Sequence, residues 1–465
     1  MDEPLFFGEL GRVATSAEQR TIGGVTLPLV VQCASPAVDV PAVAAWVAEH
    51  QPTIEKALAA HGAVLFRSFP MRTAEDFDAF VSAFRGWEDL SYTRSMSFAV
   101  RKRCTHRICT TNEGKSGGLI FHHEQAQTPL WPSRVFFCCE QPAAPGDGGG
   151  TGLVSSHFVL EELKRAHPAF VQKCNDVGVR YTVFAGPAQD ASKGAGRSWK
   201  SFFHAETKAE CEAKMARGGW EWEWGRGPNG AELAPDFLKC VTPRLDAVKT
   251  APGTTRECFF NQLIATIANA LEFGRVGQDG GGFDPLVDTP TQEAVDECVR
   301  FADGSRVELH VLLDAKRLCE QHAVDVQWQV RARLGRHNTR QREAPQCTTP
   351  LPVPYPPPPS FFSFFFFPSH PTPGRAPALC PLDCARTRAR AHVTRPGAPL
   401  ADALSRARAP PPPARRRKAG DVALICNYQV MHARRPWSGP AGSRKVLASL
   451  VAEQHCTSAG RALVV

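Results

Sequence analysis

Residues 121–154 read FHHEQAQTPLWPSRVFFCCEQPAAPGDGGGTGLV, and the order of signals in this stretch decides what kind of fold carries the chain. Residues 134–139 are an apolar β-forming run, 142–150 are a Gly/Pro turn, and 151–154 open a second strand. Ahead of them stands Phe121-His122-His123-Glu124. On an extended segment residues i and i+2 share a face, so His122 and Glu124 can address one point while His123 faces away. Joined by one remote histidine, they would form the two-His, one-carboxylate triad that leaves three cis positions open on Fe(II). Alone the motif is weak. H-x-[DE] arises by chance, a surface His/Glu pair is the plainer reading, and the register could instead expose His123 with Glu124 and bury His122.

Working outward, 52–61 and 73–85 carry apolar residues at helical spacing, with Thr73 placed to cap the second and Glu75 and Asp76 in its first turn. Between them residues 62–67 (GAVLFR) read as a short buried strand. Residues 157–172 look helical, and strands return at 178–184, 257–260, 421–426 and 445–451. This pattern predicts a mainly β fold with flanking helices, a barrel or jelly roll. It contains neither an internal repeat nor a nucleotide-binding glycine loop.

The 465 residues are 43% hydrophobic, enough for one large or two medium soluble domains. The N-terminal stretch lacks a secretory apolar core, and no run of about 18 apolar residues occurs, so the expectation is an intracellular, cytoplasmic protein with no membrane partner. Sixteen cysteines are dilute and scattered, with no CxxC pair, which fits reduced thiols; Cys380 and Cys384 lack the second pair a zinc site needs. The net charge of +8 is local. Residues 330–419 hold sixteen Lys/Arg against three acids, which leaves the rest at −5 and gives no reason to expect nucleic acid.

The same segment, 330–419, holds 19 of the 39 prolines, including PYPPPPS and APPPPA, and has no sustained periodicity. It reads as an insertion splitting one domain made of 1–329 and 420–465. Three readings stay open: a disordered or polyproline-II insertion, a Pro-rich ligand for a partner domain, and translated non-coding sequence left by a retained intron or gene-model error. The last draws on PPPPSFFSFFFFP, the product expected of a pyrimidine tract, and on the natural junction VQWQ-GDVAL that remains when the segment is removed.

Beyond the insertion, GDVALICNYQVMHARRPW (420–437) is a strand that delivers His432 at its exit. Twelve residues later Arg444-Lys445 opens the apolar strand 446–450, bringing a cation to a neighbouring strand where it could pair with a carboxylate. That is what 2-oxoglutarate requires: two oxygens to chelate iron, and a basic residue with a hydroxyl for the distal carboxylate.

With these motifs in place, the chain resembles the taurine dioxygenase and clavaminate synthase-like branch of the Fe(II)- and 2-oxoglutarate-dependent oxygenases. The resemblance covers nearly everything outside 330–419, in HGAVLFRSFP (61–70), TNEG (111–114), residues 122–151, GRSWKSFF (196–203), FFNQL (259–263) and residues 420–440. It implies a double-stranded β-helix (jelly roll) oxygenase core, iron ligands His122, Glu124 and His432, Thr151 as the co-substrate hydroxyl, and Arg444 or Lys445 as the carboxylate clamp. Arg444 is favoured for its bidentate fork. Asn112 and Asn261 lie in family motifs and are candidates to line the substrate pocket or, equally, to cap turns. Trp199, Lys200, Arg434 and Arg435 are weaker substrate candidates, each as readily packing or surface. The reaction implied is oxidation of a small-molecule C–H by O₂ coupled to conversion of 2-oxoglutarate to succinate and CO₂. Two rivals stand beside it: a catalytically inactive jelly-roll protein acting through its Pro-rich insertion, and a zinc hydrolase, for which the clamp would have no purpose.

Overall fold

In a computed structural model of the chain, the described residues are 5–35, 37–111, 117–190, 196–273, 284–332, 418–440 and 442–452. The strands that frame the site are β1 (Gly11–Ala14), β2 (Leu29–Cys33), β3 (Ala63–Met71), β4 (Leu119–His122), β5 (Arg134–Gln141), β6 (Thr151–Ser155), β7 (Val324–Val326), β8 (Val330–Ala332), β9 (Lys418–Cys426), β10 (Val430–Arg434) and β11 (Lys445–Ala452). A large sheet runs β1-β2-β3-β9-β5-β11, with β8 beside β9 and two short strands beside β11; a smaller sheet runs β7-β6-β10-β4. The result is a sheet-rich fold with several helices.

Alternation along the strands explains the layering. Val135, Phe137 and Cys139 on β5 join Ala423, Ile425, Val446 and Leu450 in a core that also takes Leu153, Val326 and Val430 from the small sheet. Phe136 and Cys138 point the other way, to Phe66, Phe80, Val422 and Leu424. With both faces covered, β5 carries an unbroken apolar run. Behind the small sheet, Phe121, Val154, Met431 and Ala433 pack on Leu160 and Leu312. Facing sheets with helices outside are thus written into the period-2 pattern.

The helices sharpen the sequence reading in two places. Helix α1 spans Val40–His61, twelve residues longer at its start than 52–61, because Asp39 caps it through Ala42 N and Pro52 sits inside it. A proline suits a first turn, so Pro52 looked like a beginning. Helix α2 (Ala74–Ser82) starts where Thr73 accepts from Asp76 N, as its cap signature indicates. The stretch 157–172 is two helices, Ser156–Ala166 and Pro168–Asp176, divided at the proline.

The limits of the insertion also move. Val330 pairs with Gly420, Arg331 with Ala419 and Ala332 with Lys418, so the edges of 330–419 are antiparallel sheet. The remainder, 333–417, lies outside the described residues. By internal contacts the chain divides into Met1–Leu334 with Arg416–Val465, and Gly335–Arg415. Among the described residues no helix is long and apolar enough to cross a membrane.

One half-buried titratable group follows the helix Trp199–Phe203. His204, in the left-handed region at φ 51°, ends the Trp199–Phe203 helix. Burial, then the charges of Arg197 and Lys214, lower its pKa from the usual 6.5 to about 4. Because the folded form binds fewer protons than the unfolded one, the stability His204 contributes is complete above about pH 6.5 and is lost as pH falls toward 4. Thermal melts at pH 7 and pH 5 should show a drop that is smaller in His204→Leu; equal drops in the two proteins would refute this assignment.

Candidate metal centre

Strand β4 ends at His122, whose cross-strand partner on β10 is His432. Their rings lie 4.3 Å apart, centre to centre. Glu124 follows β4 in a turn, and Asn427, between β9 and β10, holds that turn: its Oδ1 accepts from Glu124 N at 2.8 Å, and its Nδ2 donates to Glu124 O at 2.9 Å and to Pro132 O at 2.8 Å. Gln262 Nε2 donates to His123 O, adding a second tie. His123 itself is fully buried, with its ring nitrogens on Asn427 O and Phe259 O. Of the two registers open in the sequence, the structure therefore turns His122, not His123, toward Glu124.

Ligand atoms of His122, Glu124 and His432 all lie within 4.8 Å of one another. His432 Nε2 is 3.8 Å from Glu124 Oε2. His122 Nδ1 donates to Ile120 O at 2.8 Å, which leaves Nε2 as a free lone pair. Burial, followed by repulsion from His432, lowers the His122 pKa to about 4, so its imidazole is neutral. Burial opposes the Glu124 charge, but contact with His432 and the charges of His122, His432 and Arg101 outweigh it and hold its pKa low. His432 Nδ1 is buried without a hydrogen-bond partner. The neutral imidazole of His122, the ionised carboxylate of Glu124 and the unsatisfied ring nitrogen of His432 suit a divalent cation such as Fe(II). Phe137, from the facing sheet, closes one side with its ring 5.1 Å from that of His432.

Two residues along from His432, Arg434 stands opposite Thr151 of β6. Arg444 precedes β11 and is 8% exposed; its Nε donates to Gly149 O at 2.7 Å. Among the described residues no carboxylate pairs with it, and burial lowers its pKa. Lys445 is committed instead to Glu140 at 2.6 Å, with its side chain 38% exposed. Thr151 Oγ1 accepts from Trp328 Nε1 at 3.0 Å. Arg434 donates from Nε and Nη2 to Gly117 O, and burial, with Arg444 and Arg101 nearby, brings its pKa to about 10. Arg101 lies over Tyr92, 5.4 Å from the ring centre. Arg101 thus acts both on Glu124 and, together with Arg444, on Arg434.

Other candidates lie elsewhere. Trp199 donates its indole N–H to Asp236 O and packs on Trp224, with Lys200 above its ring. Asn261 uses both ends of its amide on Ala247 O and Leu263 N. Arg435 pairs with Glu320 and Asp325, each at 2.6 Å. Asn112 lies outside the described residues. Sequence reasoning missed Asn427, Gln262, Trp328 and Arg101. Only Asn427 left a signal, an asparagine in the turn between a strand and the histidine-bearing strand.

Two imidazoles and a carboxylate converge, and a buried guanidinium that pairs with no carboxylate among the described residues precedes β11, a set that suits a metal-dependent oxygenase with an acidic co-substrate. The family model of the taurine catabolism dioxygenase TauD, TfdA family matches residues 26–293. A clavaminate synthase-like protein of Arabidopsis thaliana is 31% identical over 313 residues, 67% of this chain and 86% of that protein. The dapdiamide synthesis protein DdaC of Enterobacter agglomerans is 26% identical over 46% of this chain and 58% of that one. A crystal structure of a taurine dioxygenase from Burkholderia xenovorans aligns over 94% of this chain and 95% of its own at 11% identity, with a TM-score of 0.36, too low to carry an argument. The chain belongs to the TauD/TfdA family and is a 2-oxoglutarate-dependent dioxygenase, an oxidoreductase that uses Fe(II), 2-oxoglutarate and O₂.

Gly149 is the seat of Arg444. It sits at φ +74°, and a Cβ there would fall 2.9 Å from Arg444 Cδ. Gly149→Ala should cost about 1 kcal/mol in left-handed strain and displace the guanidinium. If Arg444 binds 2-oxoglutarate, the expected outcome is weaker 2-oxoglutarate binding with unchanged iron affinity, measured by calorimetry; unchanged binding of both would refute that role for an Arg444 seated on Gly149.

Proposed function

We propose that the chain oxidises, by hydroxylation, a small-molecule substrate, with His122, Glu124 and His432 as the iron ligands and Arg444 with Thr151 as the clamp on the distal carboxylate of 2-oxoglutarate. The observation that carries this reading is the convergence of the three donors beside a buried arginine that has no carboxylate of its own among the described residues. When bound, iron supplies the chemistry that couples O₂ reduction and decarboxylation of the co-substrate to C–H oxidation, with succinate and CO₂ released. The protein's part is positional. His122 is held in one tautomer by Ile120 O, Glu124 by Asn427, and Phe137 walls out water. The positive field of Arg101, Arg434 and Arg444 favours anionic or neutral substrates over cations. The two facing sheets correspond, on this reading, to the jelly-roll core.

We also propose that 333–417 stands outside the oxygenase domain, since its flanks are paired strands whose ends a two-residue hairpin turn could join.

His122→Ala and His432→Ala should lose Fe(II) binding by anaerobic titration, and with it succinate release. A panel of amino acids and small acids, scored for substrate-stimulated succinate, gives the substrate class. Wild-type protein that binds no iron would refute the reading. A chain in which Asn-Gly replaces 333–417 should keep both iron binding and succinate release; loss of fold or of iron would place the segment inside the domain.

A further inference from the structure

Trp328 is 8% exposed and Thr151 is 7% exposed, and the indole N–H donates to the Thr151 hydroxyl at 3.0 Å. An indole nitrogen can only donate, so Thr151 Oγ1 is the acceptor and its own proton is left for another partner. A carboxylate can only accept. The backbone on either side of the indole is fixed independently. Gln327 N donates to Glu18 at 3.1 Å, Arg67 Nη1 donates to Gln327 O at 2.9 Å, and Gln329 N donates to Asp421 at 2.7 Å. Arg67 pairs with both Glu18 and Asp421, and both Arg67 and Asp421 are buried. The ion triad of Arg67, Glu18 and Asp421 therefore pins residues 327 and 329 on either side of Trp328.

We propose that Trp328 is a positioning residue of the co-substrate site, which, by occupying an acceptor position of Thr151 Oγ1, aims the threonine proton at the carboxylate held by Arg444. This rests on the reading of Arg444 and Thr151 as the clamp. It also explains how the site tolerates the segment that begins five residues later: the anchoring contacts all precede Val330 or lie on β3 and β9.

The test is anaerobic calorimetry of 2-oxoglutarate on the Mn(II)-loaded full-length protein. Trp328→Phe keeps an aromatic ring and removes the donor. It should raise the 2-oxoglutarate Kd about 10-fold, with Mn(II) affinity unchanged. In a Thr151→Val background the same substitution should add nothing, a coupling that a packing role would not produce. If the Phe variant is not recovered folded, Trp328→Met, which also lacks a donor, replaces it in both backgrounds. An unchanged Kd, or an equal loss with and without the Thr151 hydroxyl, overturns the proposal. A wild-type protein that binds Mn(II) but not 2-oxoglutarate overturns the clamp reading, and this inference with it.

Discussion

The register between β4 and β10 is the constraint on which the site depends. It sets His122 against His432, and the next pairing, β10 with β6, sets His432 against Leu153 and Arg434 against Thr151. A slip of one residue in either strand would send its imidazole to the helix-covered face, where Phe121, Met431 and Ala433 now pack. Burial on both faces makes such a slip costly, because it would exchange polar and apolar groups across the whole strand. Asn427 adds a directional lock. It bridges the turn ahead of β10 to the turn that follows β4, with three hydrogen bonds from one buried amide. The convergence of His122, Glu124 and His432 is thus decided by sheet pairing and by the Asn427 lock.

The second constraint is electrostatic. Burying Arg67 between Glu18 and Asp421 is tolerable only because both partners and the 327 and 329 backbone satisfy one another. Burial nonetheless outweighs the attraction of Arg67 and raises the Asp421 pKa to about 6. Such a network adds little net stability for its size, and its value lies in fixing where the chain runs. Arg444 is the opposite case: a buried cation with a backbone carbonyl on one nitrogen and no counter-charge among the described residues. A guanidinium left in that state costs folding free energy that a bound dicarboxylate would offset.

How far the sequence could go follows from what each residue's role depends on. The alternation in residues 134–139 showed a strand, and its lack of polar interruptions showed burial on both sides. The i, i+2 argument set His122 and Glu124 toward one point, and they do converge in the structure, but by a different route. The strand ends at His122, and Glu124 is brought round by a turn in which Gln125 has φ +58°, held by Asn427, so the convergence is tertiary. Arg444 and Lys445 are adjacent, and the bidentate fork favours the first without fixing the strand register; burial of Arg444 and the Glu140 partner of Lys445 are facts of packing. Asn261 illustrates the converse, a motif residue whose amide is consumed by a turn. Trp328 and Arg101 could not be found locally, because a single indole or guanidinium acquires a role only from what the fold sets beside it.

The interruption at 333–417 can be weighed in the same terms. Its flanks leave and re-enter the domain at Ala332 and Lys418, which are cross-strand partners. The ends are therefore at strand spacing whatever lies between them. As loop closure alone, spanning a segment of that length costs about 3 kcal/mol more than a two-residue turn. That is a large part of the 5–15 kcal/mol typical of a domain but less than the whole. The contacts that would have to fail for the metal centre to be lost, at Asn427, at the His122–His432 pairing and around Arg67, all lie on the domain side of that hairpin. On the proposal that 333–417 stands outside the domain, the segment would bear on the margin of stability and not on the geometry of the site, and the order of strands, rather than the length of chain between them, would govern the chemistry.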